Sequence, residues 1–268
     1  MIGPTHIVNV PHREYYGEQF AGGTNANLTV QRRPRNWRLG FNQLRIESPT
    51  STEDVRIALT PAIIGVYFND TSAGTWKDLL GSTKAIIDSA QTGDAQFTMA
   101  SADYLYIATT DRHGGFRFDL TAVNNNAATA TFEYSKADGF NAFAATVTDG
   151  TISSSATLGQ DGNLTAATTP SEASWSRINL REVLDDSAAP VQVAHWSRLT
   201  PSADLDSVSI AQLMCLHYDM AHTAASGHAG FFKDQVEYTI TKSGFIGGFE
   251  QQSSDSGAIT MNLTWIRD

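Results

Sequence analysis

The stretch DYLYIATTDRHGGFRFDLTAVNNNAATATFEYS, residues 103–135, decides the fold class. Tyr104, Leu105, Tyr106 and Ile107 form an unbroken apolar run, the mark of a strand covered on both faces. After Gly114-Gly115, the residues Phe116, Phe118 and Leu120 alternate with Arg117 and Asp119, the period of a strand with one wet face. After Asn124-Asn125-Asn126, Phe132 and Tyr134 alternate with Thr131 and Glu133. Three strand patterns joined by turn-rich polar links make scaffold, and none of them looks like an active site.

The same rhythm continues outward. Val55, Ile57 and Leu59 alternate with Arg56, Ala58 and Thr60. The segment GTWKDLLGSTKAIIDSA is ambiguous and allows a helical turn from Trp76 to Leu80, cut off by Gly81. Asp-Gly pairs at 138–139, 149–150 and 161–162 predict hairpin turns with positive φ. Turn signals spaced by about 8–12 residues argue for an all-β sandwich or jelly-roll-like fold. A short helix is expected in INLREVLDD, with Ser176 as its cap. Beyond it, Val208 to Tyr218, Val236 to Thr241 and Ile259 to Trp265 read as strands. The chain therefore divides into an extended N-terminal arm over 1–36, a β-sandwich over 37–220 and added C-terminal strands over 221–268.

Composition narrows the function classes. With 41% hydrophobic residues a core is expected, and a net charge of -10 argues against a general nucleic-acid binder, which needs a basic face. The first sixty residues are slightly basic, so Arg32, Arg33, Arg35 and Arg38 are candidate partner-binding residues. No charged start precedes an apolar core at the N-terminus, and no apolar run reaches 18 residues, so neither a signal peptide nor a membrane partner is expected. The four Asn-x-Thr sequons at Asn27, Asn69, Asn163 and Asn262 read as chance matches.

Chemistry-bearing residues do not assemble into a catalytic pattern. His217, His222 and His228 with Asp219 fit no common zinc spacing. Cys215 lies in an apolar run that disfavours its thiolate and reads as a core residue. Asp185-Asp186 are adjacent and cannot face one another across a cleft, and Asp204-x-Asp206 lacks the other calcium ligands. The Gly-rich segment 244–249 lies between strands, not before a helix. No catalytic residue, metal or cofactor is expected. Tyr67, Phe68, Trp76, Phe140, Phe143 and Trp175 could form either a core or a sugar-binding platform, and core is the first expectation.

The order of motifs resembles a β-sandwich domain of structural proteins from tailed bacteriophages. The residues that carry the resemblance are Tyr104 to Ile107, Phe116 to Leu120, Glu133-Tyr134, Asp149 to Thr151 and Trp196 to Leu199, spanning roughly residues 63–212. Ala108 stands where that family often has Gly, and SKADGFNAF replaces its Trp-containing hairpin. The tail from Gly244 is loosely similar to the closing strands of phage tail-tube proteins. The resemblance implies a non-enzymatic virion protein, most simply a capsid decoration or cement protein. It would be a homo-oligomer partnered by the major capsid protein or by tail proteins. A tail component (tube, baseplate or fibre) or a carbohydrate-binding sandwich that holds a host glycan are the alternatives.

Overall fold

The computed structural model describes residues 60–80, 95–143, 147–171 and 173–216 with their side chains. It also describes the backbone of strands within 14–21, 29–32, 41–47, 55–59, 230–232, 237–253 and 260–267. In chain order the first strands are β1 (Glu14–Ala21), β2 (Thr29–Arg32), β3 (Phe41–Glu47), β4 (Val55–Pro61), β5 (Ile63–Asp70), β6 (Thr75–Asp78) and β7 (Ala95–Thr98). They are followed by β8 (Tyr104–Thr109), β9 (Gly115–Ala122), β10 (Ala130–Lys136), β11 (Gly139–Ala142), β12 (Val147–Asp149), β13 (Gly162–Ala166) and β14 (Arg177–Asn179). A single turn of helix, α1 (Leu180–Leu184), precedes β15 (Val193–Pro201), β16 (Ser207–Leu216), β17 (Gly230–Phe232), β18 (Glu237–Ser253) and β19 (Thr260–Arg267).

The fold is all-β, and its strand pairings are antiparallel; an isolated bridge, Ala128 with Ala156, is parallel. The middle of the chain forms two sheets, ordered β11-β10-β15-β8-β5-β6, with β14 on β15, and β12-β13-β9-β16-β7. Their inner faces share one core. Val66, Phe68, Leu105, Ile107, Phe132 and Leu199 come from the first sheet; Phe97, Phe116, Phe118, Leu164, Val208, Ile210, Leu213 and Cys215 come from the second. The apolar run at Tyr104 to Ile107 is covered on both faces, because Leu105 and Ile107 join this core while Tyr106 joins a second cluster on the far face. In β9 the alternation holds: Phe116 and Phe118 are buried, while Arg117 and Asp119 are half-buried and paired at 3.0 Å.

The terminal strands form a third sheet, ordered β1-β19-β3-β18-β4-β17, with β2 on β18. The segment 1–36 thus contributes two hydrogen-bonded strands, and β3 and β4 belong with the C-terminal strands rather than with the sandwich. Sheet membership runs across the divisions at 36 and 220. Pairing between distant segments leaves no local mark on composition, so the sequence could not show it.

Two local expectations are corrected. Trp76 lies on β6, not in a helical turn, because Thr75 to Asp78 pair with Tyr67 to Asp70. Asn179, not Ser176, stands at the N-cap position of the helix, and its side chain makes no capping hydrogen bond. Ser176 is drawn to β10 instead: its N–H donates to Ser135 O at 3.0 Å and its carbonyl accepts from Ser135 Oγ at 2.7 Å. Residues 177–179 are then spent as β14 before the helix begins.

Of the three Asp-Gly pairs, only Gly139 takes a positive φ, at 150°, in the β10–β11 hairpin. Gly162 is needed for closeness: a Cβ there would lie 2.2 Å from Gly150 O. Between those glycines the loop holds Ser154, Ser155 and Leu158 at positive φ, a conformation that non-glycine residues adopt at a cost. Asp149 offsets that cost. Its carboxylate accepts from Thr151 N at 2.9 Å, Thr151 Oγ1 at 2.5 Å and Thr157 Oγ1 at 2.6 Å, and Leu158 is buried in the core.

Candidate functional site

The face of the first sheet that points away from the core carries an aromatic cluster around a charge pair. Cross-strand register builds it. Glu133 lies opposite Arg198, Arg198 opposite Tyr106, and Tyr106 opposite Tyr67, so four strands place one row of side chains on this face. Tyr106 is buried at the centre. Around it lie Trp76 at 5.1 Å, Tyr104 at 5.7 Å, Phe140 at 5.6 Å and Trp196 at 6.5 Å between ring centroids. The turn α1 covers one end of the cluster with Leu180, Val183 and Leu184. Asp186 accepts from Trp76 Nε1 at 2.8 Å, which fixes that indole and lowers the acid's pKa.

Arg198 occupies the middle of the uncovered part. Its guanidinium carbon is 4.5 Å from the centroid of Tyr104 and 4.5 Å from that of Phe140. Its Nε donates to Glu133 Oε2 at 2.6 Å. Such stacking suits a planar delocalised cation and not a lysine. Burial works against the charge of Arg198, but hydrogen bonds to Glu133 and Tyr106 outweigh it and raise its pKa. Burial raises the pKa of Tyr106, and the neighbouring guanidinium partly offsets that. Trp76, Tyr104, Phe140, Arg198 and Glu133 all remain partly exposed.

The six aromatic candidates divide between the two faces. Phe68, Phe143 and Trp175 are core residues; Tyr67, Trp76 and Phe140 lie on the outer face. Tyr104, Tyr106, Arg198 and Glu133 complete that face; the sequence showed them only as strand residues. Period-2 alternation puts Tyr104 and Tyr106 on one side of β8, but which side is open depends on the partner sheet. The Glu133–Arg198 pair joins strands 65 residues apart and leaves no local signal.

The other candidates lie away from this face or outside the described residues. Arg32 ends β2, where it pairs with Gly248 of β18; Arg33, Arg35 and Arg38 lie outside the described residues. His217, His222, His228 and Asp219 lie outside them as well. Among the described residues, no group of three His, Cys, Asp or Glu side chains is placed to hold a metal ion. Cys215 is buried and free of any disulfide. Asp185 ends α1 in the left-handed conformation. Asp204 accepts from Ser101 N at 2.8 Å, and Asp206 accepts from Asn125 Nδ2 at 3.1 Å, so both tie loops together.

His113, in the connection between β8 and β9, is fully buried, with its ring centroid 4.2 Å from that of Phe116 and 4.8 Å from that of Trp175. Its Nε2 is 2.9 Å from Ser197 Oγ. Burial, with a further push from His195, lowers its pKa to about 3, so the imidazole is neutral at pH 7. A separate open cleft of about 460 Å³ lies at the β10–β11 hairpin, floored by Tyr134 and edged by Lys136, Asp138, Asn141 and Ser174.

No protein-family model matches this chain, and no curated protein or solved structure matches it either.

Proposed function

We propose that this protein is a non-enzymatic structural component of a tailed-phage virion, and within that class a capsid decoration or cement protein. The order of motifs carries this reading. The segments that resemble phage structural proteins are β8, β9, β10, the turn after β12 and β15, all parts of one sandwich. The terminal sheet then supplies the docking element, with Arg32 at the end of β2 and Arg33, Arg35 and Arg38 following it in sequence. These arginines bind an acidic surface of the major capsid protein or a neighbouring copy of this chain. Many such weak contacts on a symmetric lattice add up to firm retention.

The test is reversal of charge at Arg32, Arg33, Arg35 and Arg38, all to Glu, followed by gel densitometry of purified particles. The expected result is at least tenfold less protein per particle. Unchanged incorporation would overturn the docking role. A tail component is the second reading, favoured by the C-terminal strands β18 and β19, which carry the tail-tube similarity and flank β3 in one sheet. Imaging of particles bearing a labelled copy separates the two, since label on the tail alone excludes decoration.

A further inference from the structure

We propose that the outer face of the first sheet, around Tyr104, Arg198, Phe140 and Trp76, is a binding site for a neutral glycan. The inference goes beyond a structural role and does not depend on where on a particle the protein sits.

Three observations carry it. The first is chemical. Sugar rings present C–H faces that pack on the electron-rich faces of aromatic rings, and they present hydroxyls that both donate and accept. Here partly exposed rings adjoin a guanidinium and a carboxylate held 2.6 Å apart, which offer donors and acceptors side by side. Thr131 and Asn69 add polar groups at the margin of the face.

The second is rigidity. Arg198 is clamped between Tyr104 and Phe140 and tied to Glu133, and Trp76 is tied to Asp186. A ligand meets side chains whose rotamers are already fixed, which removes much of the ordering cost of binding.

The third is size. Trp76, Tyr104 and Phe140 are each only partly exposed. An aromatic side chain offers about 150–250 Å² in all, so the three partly buried rings expose on the order of 100 Å² between them. That is about the face of one sugar ring, and the charge pair beside it supplies the directional polar contacts a sugar needs. Because Glu133 already compensates Arg198, the face has no spare positive charge, and binding is expected to favour uncharged sugars and to vary little with salt.

The test uses the full chain and an immobilised panel of tetra- to hexasaccharides built from glucose, galactose and N-acetylglucosamine, with sialylated and sulfated versions alongside. The expected result is binding to at least one neutral chain. Tyr104→Ala should weaken it at least tenfold, and Arg198→Lys severalfold. Ile152→Ser, in the loop after β12, should leave it unchanged. Thermal melts of each variant separate loss of the site from loss of the fold, and Asn69→Ala probes the margin without touching the packed rings. No binding to any neutral chain by the unaltered protein, a preference for the anionic chains, or full binding by folded Tyr104→Ala would each overturn the proposal. Protection of Tyr104 by a virion protein instead of a sugar would overturn it too.

Discussion

The two faces of the β11-β10-β15-β8-β5-β6 sheet bury similar side chains by different means. The inner face meets a second sheet, and Leu105, Ile107, Phe132 and Leu199 are shut away against Phe116 and Phe118 with little need of polar groups. Among the described residues, the outer face meets only a five-residue helix and its flanking loop. There the aromatic residues cover one another, and a charge pair stacked among them closes the part the helix does not reach. A face covered by a partner sheet can be purely apolar. A face left to cover itself keeps polar groups at its surface, and those groups are what a ligand meets.

The largest test of that contrast lies in the inner core. Phe118→Ala removes a fully buried ring between the sheets and is expected to cost about 3–5 kcal/mol, read as a fall in the calorimetric midpoint. A loss under 1 kcal/mol would mean that the two sheets do not share this core.

His113 sets the next test, because it is a titratable group buried on the core side, where its hydrogen-bond partner Ser197 carries no charge. Its folded pKa, about 3, lies below the ordinary value of 6.5, so between those values the unfolded chain binds the extra proton. Stability from this group is full above pH 6.5 and falls as pH drops toward 3, by up to about 1.4 kcal/mol per pH unit. At pH 5 the loss relative to pH 7 should be about 2 kcal/mol from His113 alone. Urea midpoints from pH 7 to pH 5 should fall more steeply in the native sequence than in His113→Asn; parallel slopes would remove this histidine from the account.

On the outer face, Glu133→Ala should cost about 1.5 kcal/mol, less than breaking a fully buried pair because water reaches both partners. A double-mutant cycle with Arg198→Ala should return a coupling energy, and a coupling of zero would make the pair decorative. The smallest effect expected is Arg198→Lys, about 1 kcal/mol, since charge is kept while the planar stacking and the guanidinium's hydrogen-bond geometry are lost. Equal stability of the lysine variant would show that the rings do not depend on the guanidinium's shape.

How much of this was legible in the sequence follows from the range of the interactions. The strands β8, β9 and β10 were readable because their alternation is local, and so was Cys215 as a core residue. Trp76 was not, because a four-residue edge strand carries too little pattern to separate it from a helical turn. Phe140 and Phe143 stand three residues apart, an odd spacing that alternation sends to opposite faces, but which of the two faces the core was set by the register of the β10–β11 hairpin. Ser176 had the chemistry of a helix cap, but a bond to Ser135, 41 residues earlier, took it elsewhere.

The third sheet has a consequence for how the chain is made. Every described partner of β1, β2, β3 and β4 within that sheet comes from β17, β18 or β19. At about 5–20 residues per second, a ribosome needs roughly 10–35 s to pass from the end of β4 to the start of β17. By the end of that interval, once β16 is made, the sandwich has all its strands and can close, while four earlier strands wait with their hydrogen-bonding edges unmatched. Nascent chains held at that stage are the form most exposed to pairing with one another. Slowing synthesis after residue 216 should therefore raise aggregation more than slowing it after residue 253.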